Sequence, residues 1–157
     1  RHGARAAIAS GLWAAQRDDY PNTVQTGHTV ASLVLDPEPI DDVATTPDVV
    51  ALLAEEGAAK AGSAARRLGP GGLLVTLPGI GPVDHDGDTL VLDPATAPIR
   101  LAKTDLALAA MAAAAIRRGL FPLEALTASV AAAPKGADHM VEVVAAGAAM
   151  ASSHEWS

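Results

Sequence analysis

A strand–helix–strand pattern fills residues 48–77, which read DVVALLAEEGAAKAGSAARRLGPGGLLVTL. Asp48–Leu53 and Leu73–Leu77 are short apolar runs of the kind that form buried strands. Between them a helix is predicted from about Glu55 to Leu68, with acidic residues near its start and arginines near its end, where the helix dipole favours each charge. Strands and helices that alternate over short connections are typical of a parallel sheet covered by helices.

The segment before this pattern is predicted to hold a helix, a loop and a further strand. Residues 4–16 are predicted as a helix, because apolar side chains such as Leu12 and Trp13 recur at roughly helical spacing. Residues 17–27 are polar and contain a proline, which favours a loop or an irregular extended stretch. Thr29–Leu35 is rich in Thr, Val and Leu and is typical of a strand.

Helices dominate the chain after the second strand of the pattern. Residues 78–93 are rich in Gly, Pro and Asp and hold a small predicted strand at Leu90–Leu92, with a hairpin turn around Asp86 and Gly87. Three helices are predicted beyond Lys103: Leu106–Arg118, residues 122–133 with Pro122 at the first helical position, and a last helix that Asp138 caps and that runs to about Met150.

Together these elements indicate an α/β fold in a single domain that spans residues 1–157. Its three layers would be a mainly parallel sheet flanked by helices, and its C-terminal portion would be helical. The first residues, Gly3–Ala9, already have the composition of a helix interior, and the chain begins with Arg1 rather than Met. We therefore expect that an N-terminal piece of the domain is missing from this sequence.

Charge and composition narrow the classes of function. The net charge of −7 disfavours nucleic acid, because phosphate contacts need clustered Lys and Arg. The chain has no cysteine, which excludes disulfides, thiolate nucleophiles and iron–sulfur clusters held by its own Cys. The longest uncharged apolar run, Leu106–Ile116, is too short to span a bilayer. We expect a soluble protein of the cytoplasm that binds neither nucleic acid nor membrane.

No local motif forms a complete catalytic or metal site. Asp84–Asp88 alternates carboxylates like the start of a calcium loop, but Thr89 stands where that loop needs Gly and Ala95 where it needs Glu. The glycine-rich run at 69–72 follows a helix instead of opening one, so phosphate binding is not predicted there. The five histidines are scattered, and no nucleophile elbow is present. We predict no metal ligand and no catalytic residue in this chain.

Residues 11–32, GLWAAQRDDYPNTVQTGHTVAS, are the most informative segment for function. Hydrogen-bond donors and acceptors fill this predicted connection, and loops held on a rigid scaffold often carry function. A loop whose hydrogen bonds only stabilise its own domain would have the same composition, and both interpretations stay open. If the segment is functional, the residues expected to contact a subunit or a cofactor at a boundary are Arg17, Asp18, Tyr20, Gln25, Thr26 and His28.

Four motifs, in a fixed order, carry a family resemblance. They are Gly11-Leu12 at the end of the first helix, the polar segment Gln16–Leu35 that leads into a strand, Pro47-Asp48-Val49-Val50, and the run Gly119–Leu126, which reads GLFPLEAL. Over about residues 5–150 the chain resembles the gamma domain of the 2-oxoacid:acceptor oxidoreductases, the family of pyruvate, ketoisovalerate and indolepyruvate ferredoxin oxidoreductases.

The chain departs from that family in two places. The family usually begins with a strand and a Gly-x-Gly-Gly-Gln-Gly loop before its first helix, and both are absent here. The resemblance therefore implies that the missing N-terminal piece consists of this strand and this loop. The family commonly has an Asn at the start of its long helix, and in this chain that position falls on an alanine, around Ala107.

The resemblance implies an accessory role in a larger enzyme. In the family, thiamine diphosphate with Mg²⁺ and iron–sulfur clusters are carried by other domains or subunits, and ferredoxin or another acceptor receives electrons through them. The thiamine motif needs Gly-Asp-Gly followed by Asn, but the single Asn22 precedes Asp86-Gly87-Asp88. This chain would therefore bind no cofactor alone. The implied reaction of the complex is oxidative decarboxylation of a 2-oxoacid.

The accessory role and its alternative predict different surfaces for the chain. An accessory subunit should present an apolar face to its partners, and the Ala-rich helices at 103–118 and 138–150 are the candidates for it. The alternative is a free-standing α/β enzyme or binding protein for a small molecule. Its site would lie beyond the carboxyl ends of the strands, near Thr26–His28 and Pro78–Gly81.

Overall fold

The computed structural model of the chain describes residues 1–19, 29–41 and 46–154. In these ranges the elements are α1 (His2–Ala9), β1 (Trp13–Asp19), β2 (Val30–Asp36), β3 (Val49–Leu52), α2 (Glu55–Ala65), β4 (Leu73–Thr76), β5 (Asp88–Val91), α3 (Leu106–Arg118), α4 (Leu123–Ala131) and α5 (Ala137–Ser153).

A parallel sheet in the order β3-β4-β5 forms the central layer. Successive side chains of a strand point to opposite faces, and β4 shows this directly. Leu73 and Val75 are fully buried in a cluster with α3 and α5, whereas Leu74 packs with Ala65 and Leu68 at the end of α2. Both faces of the sheet are thus covered by helices. The predicted three-layer α/β fold with a helical C-terminal portion is confirmed.

The first helix is shorter than predicted, because it ends in a Schellman turn. Gly11 has a φ of +85°, its N–H bonds to the carbonyl of Ile8, and the N–H of Leu12 bonds to the carbonyl of Ala7 at 3.0 Å. The Leu12 side chain then packs on the cluster that contains Ala6 and Ala7. The predicted helix over residues 4–16 is therefore wrong after Ala9.

Residues assigned to the end of that helix and to the following loop form a strand instead. β1 pairs antiparallel with β2 in a two-stranded ribbon, the β1–β2 ribbon, whose register runs from Trp13 opposite Asp36 to Asp19 opposite Val30. Residues 20–27 of the predicted loop, together with residue 28, lie outside the described residues. The predicted strand at Thr29–Leu35 is confirmed within one residue.

The predicted hairpin around Asp86 and Gly87 is also wrong, since β5 runs parallel to β4. A Cβ on Gly87 would lie 2.5 Å from the carbonyl oxygen of Gly72, and the next amide, of Asp88, donates to that same oxygen at 2.9 Å. At this close approach of two backbones, the start of β5 lies beside the start of β4, as in the parallel register that pairs Asp88 with Leu73.

The C-terminal helices lie where the sequence predicts them, but their starts and their role differ from prediction. Pro122 is the N-cap of α4, not its first helical residue, and Gly136 with φ +68° is the N-cap of α5, where Asp138 makes no capping hydrogen bond. α3 and α5 pack on each other so closely that a Cβ on Gly147 would lie 2.2 Å from the Ala109 carbonyl oxygen. Their Ala-rich faces are buried inside the chain, so the prediction that they present a face to partners is wrong.

Replacing Gly11 by alanine tests the turn that separates α1 from β1. We expect a loss of about 1–2 kcal/mol in the free energy of unfolding, because an L side chain is disfavoured at positive φ even though open space surrounds this position. Gly11→Asn is the matched control, since Asn tolerates this conformation and should lose less. Urea denaturation measures both. Equal stability of Gly11→Ala and the wild type would contradict the positive φ of Gly11 in this turn.

Candidate interaction site

The β1–β2 ribbon has two faces that differ in their surroundings. On its inner face Ala14 and Leu35 pack against the cluster of α1, α3 and α4, and Leu33 lies beside Gly3 of α1. On its outer face, cross-strand pairs join Trp13 to Asp36, Ala15 to Val34 and Arg17 to Ser32. Contacts of the inner face hold the ribbon at its root, which is the end formed by Trp13 and Asp36. The outer face points away from this core.

The structure places two of the six predicted site residues on this ribbon. Arg17 and Asp18 are adjacent in β1, so their side chains leave opposite faces of the ribbon, and both are exposed. Asp18 shares its face with Gln16, whose amide Nε2 donates to both carboxylate oxygens at 2.9 and 3.0 Å. Arg17 and Asp18 are thus held near the far end of a ribbon rather than in a loop.

The other four predicted site residues, Tyr20, Gln25, Thr26 and His28, lie outside the described residues. Two residues of the ribbon that the prediction did not include also qualify for the site. Trp13 is 55% exposed on the outer face, and Gln16 orients the Asp18 carboxylate. Residue type is the signal that could have found Trp13, because aromatic side chains are enriched at protein interfaces.

The carboxyl edge of the sheet is the second place where a ligand could bind. Leu52, Thr76 and Val91 end the three parallel strands at this edge, and α2 begins there after β3. The Thr76 hydroxyl is buried and has no hydrogen-bond partner among the described residues. Glu55 and Glu56 occupy the first turn of α2. Their charges oppose an anion at this helix N-terminus, which disfavours the phosphate sites common at such edges.

Comparison with known proteins decides the family of this chain. The family model described as pyruvate ferredoxin/flavodoxin oxidoreductase matches residues 3–154. The chain belongs to this family. Its fold also matches two solved structures. One is the gamma subunit of a keto/oxoacid ferredoxin oxidoreductase from Geobacter sulfurreducens PCA, with a TM-score of 0.74, 18% identity and coverage of 98% of this chain and 89% of that one.

The other solved structure is the pyruvate oxidoreductase subunit PORC from Thermotoga maritima. It has a TM-score of 0.62 and 18% identity, with coverage of 94% of this chain and 85% of that one. No curated protein sequence matches the chain. The family resemblance that the sequence motifs indicate is confirmed.

Polar contacts elsewhere in this member of the pyruvate ferredoxin/flavodoxin oxidoreductase family join its elements to one another. His85 accepts a hydrogen bond from the Gly87 N–H at Nδ1 and contacts the Thr89 hydroxyl at Nε2, 2.9 Å away. His139 lies 3.0 Å from the Asp105 carboxylate and links α5 to the start of α3. His2 contacts Ser129 and links α1 to α4. These contacts give the three histidines a role in holding the fold.

The described part of this family member contains neither a cluster of metal ligands nor a membrane-spanning helix. Across residues 1–19, 29–41 and 46–154, no three side chains of the His, Cys, Asp or Glu type gather as a metal site would require. Among the described helices, none combines the length and the apolarity needed to cross a bilayer.

Proposed function

We propose that this chain is an accessory, gamma-type subunit or domain of a thiamine diphosphate-dependent 2-oxoacid:acceptor oxidoreductase. The observation that carries the proposal is the match of the pyruvate ferredoxin/flavodoxin oxidoreductase family over residues 3–154. The complex would decarboxylate a 2-oxoacid oxidatively, releasing carbon dioxide and passing electrons to ferredoxin or another acceptor. This chain would stabilise the assembly and would not contact the reacting atoms.

The chemistry of the side chains supports this division of labour. The sequence contains no cysteine, so thiolates for an iron–sulfur cluster must come from outside residues 1–157. Its only Asn, Asn22, precedes the run Asp86-Gly87-Asp88, which is the reverse of the order that a thiamine diphosphate site needs. In that run, Asp88 is engaged in an ion pair with Arg117 of α3 instead. Partner subunits would therefore supply thiamine diphosphate, Mg²⁺ and the clusters.

The solved structures of similar fold are consistent with the proposal. Both are described as subunits of oxoacid or pyruvate oxidoreductases, and this chain covers 89% and 85% of their lengths. Over most of its length the chain therefore has the fold of such a subunit. Because a fold alone does not determine function, the proposal rests on the family match.

Co-purification tests the proposal. An affinity tag on this chain, expressed in its native host, is expected to recover a thiamine-binding subunit and an iron–sulfur subunit. Peptide mass spectrometry identifies them, and the visible absorption of the clusters together with a thiamine assay shows that they are loaded. The same tag on an unrelated protein is the control. Recovery of this chain as a clean monomer from cells that contain those subunits would contradict the proposal.

A further inference from the structure

The outer face of the β1–β2 ribbon has an apolar surface that the described chain does not cover. Trp13 is 55% exposed and Val30 37%, at opposite ends of this face, and Ala15 between them is also exposed. The described elements that the ribbon contacts most are α1 and its own two strands, and α1 lies on the inner face.

Such a ribbon is poorly suited to standing alone. A two-stranded sheet is marginal in water unless a third strand or a helix packs on it. α1 provides that support at the root of the ribbon, through Ala14 and Leu35. Toward its far end, Ala31 and Ser32 of β2 are exposed, as is Gln16 of β1. A large aromatic side chain on a projecting, partly supported strand pair is typical of a surface that is buried by binding.

The charges beside Trp13 indicate which kind of partner surface fits the outer face of the ribbon. From Asp18 to Ala59 the sequence contains nine Asp and Glu and no Lys or Arg, and Arg17, which lies on the outer face, is four residues along β1 from Trp13, toward the far end of the ribbon. Among the acidic residues, Asp36, Glu38 and Asp41 are exposed and lie at or directly after the root of the ribbon, where Asp36 is paired with Trp13. Trp13 therefore lies beside a strip of negative charge.

This charge disfavours three of the possible occupants. Nucleic acid and anionic membrane surfaces would be repelled by the acidic strip. A second copy of this chain, seated on the same face, would bring two acidic strips together. The occupant that remains is a protein surface with an apolar pocket for the indole and Lys or Arg side chains around it.

We propose that the outer face of the β1–β2 ribbon docks onto a partner subunit of the oxidoreductase complex, with Trp13 as the apolar anchor and Asp36, Glu38 and Asp41 facing basic side chains of that partner. This inference rests on the function proposed above. Beyond that function, the inference specifies which surface of the chain makes the contact and which chemistry the partner presents.

Fluorescence of Trp13 in the isolated complex tests this docking directly. Trp156 is the only other tryptophan, so Trp156→Phe leaves Trp13 as the sole indole. In the free chain its emission should be that of an exposed indole and should be readily quenched by acrylamide. In the complex with the thiamine-binding and iron–sulfur subunits, we expect a blue shift and strong protection from quenching.

Affinity measurements with matched variants give an independent readout. Trp13→Ala should weaken binding to the purified partner subunits at least about 30-fold, the loss typical of an aromatic anchor at about 2 kcal/mol. Ile116→Ala is the control, because Ile116 is a large apolar residue of α3, outside the ribbon, that is 45% exposed, and it should bind like the wild type. Unfolding curves of both variants establish that they fold.

A charge-reversal pair tests the acidic strip. Glu38→Lys with Asp41→Lys should weaken binding about tenfold at low salt, and the loss should shrink as salt screens the interaction. Asp84→Lys with Asp86→Lys makes the same change in net charge at two other exposed positions and should have little effect. Equal losses from both pairs would contradict a localised contact.

The outcomes separate the two proposals. If the complex forms but Trp13 stays as quenchable as in the free chain, the docking surface is overturned while the accessory function stands. If Trp13 becomes protected at high concentration of the chain alone, the occupant is a second copy and the partner assignment is overturned. If no complex forms with the thiamine-binding and iron–sulfur subunits, the proposed function fails and the docking surface fails with it.

Discussion

Gly147→Ala is expected to destabilise the chain by about 3 kcal/mol or more, because the new methyl group has no space between α3 and α5. Its Cβ would lie 2.2 Å from the carbonyl oxygen of Ala109 and 2.8 Å from the carbonyl carbon. These are backbone atoms of a helix, which a rotamer change cannot move. The two helices would have to separate, and the buried residues Val143 and Ala113 between them would lose contacts.

Gly62→Ala in α2 is the matched control for this substitution. The nearest atom to its Cβ would be Nη2 of Arg66 at 3.8 Å, an ordinary van der Waals contact. Since alanine favours a helix more than glycine does, we expect a gain of about 0.5–1 kcal/mol. Urea denaturation followed by circular dichroism measures both variants. A Gly147→Ala chain as stable as the wild type would show that the backbones of α3 and α5 leave room for a methyl group between Gly147 and Ala109.

Gly87→Ala is expected to cost about 2–3 kcal/mol by displacing β5 from β4. A Cβ at this position would lie 2.5 Å from the Gly72 carbonyl oxygen and 3.1 Å from the Gly69 oxygen. The Gly72 oxygen accepts a hydrogen bond from the Asp88 N–H. Moving the two backbones apart to relieve the clash would break this bond, which is the first one beside the β4–β5 pair. The effect should be concentrated at this edge of the sheet.

Hydrogen exchange distinguishes that local effect from general destabilisation. In Gly87→Ala the amides of Asp88 and Leu92, which bond to Gly72 and Thr76, should lose more protection than those of α5. Gly81→Ala is the control, because its Cβ would meet no atom within 4 Å, and it should leave stability nearly unchanged. Uniform loss of protection across the chain would contradict the specific contact at Gly87.

The central layers of the fold could be predicted from sequence because their local signals agree with their tertiary contacts. β3 and β4 are short apolar runs, and the sheet has a helix layer on both faces, so their pattern matches their burial. α2 begins with two glutamates and ends before a glycine-rich run. α3 ends at Gly119 with φ +60°, the left-handed conformation that glycine adopts most readily.

The region around α1 and β1 was predicted wrongly, because alanine-rich sequence fits a helix or a strand. Trp13, Ala14 and Ala15 continue the spacing of a helix, yet pairing with β2 makes them a strand. Gly11 followed by Leu12 is a sequence signal of the Schellman turn that ends α1. The exposure of Trp13 could not have been predicted, since an isolated tryptophan at helical spacing more often belongs to a core.

The hairpin predicted at Asp86 and Gly87 shows a different limit of sequence reasoning. An Asp-Gly pair favours a tight turn, but here the glycine serves a close approach to the Gly72 backbone. That contact joins residues fifteen positions apart and has no local signal. Of the six residues predicted for the site, Arg17 and Asp18 lie on one ribbon with Trp13 and Gln16, and their role stays a prediction.

Reconstitution of 2-oxoacid oxidation tests the central claim most directly. The purified chain, given thiamine diphosphate, Mg²⁺, coenzyme A, a 2-oxoacid and an artificial electron acceptor, is predicted to show no 2-oxoacid-dependent reduction of the acceptor. Addition of the thiamine-binding and iron–sulfur subunits should restore it, and omission of this chain from that mixture should lower it. Reduction of the acceptor by this chain without any other protein would contradict the account.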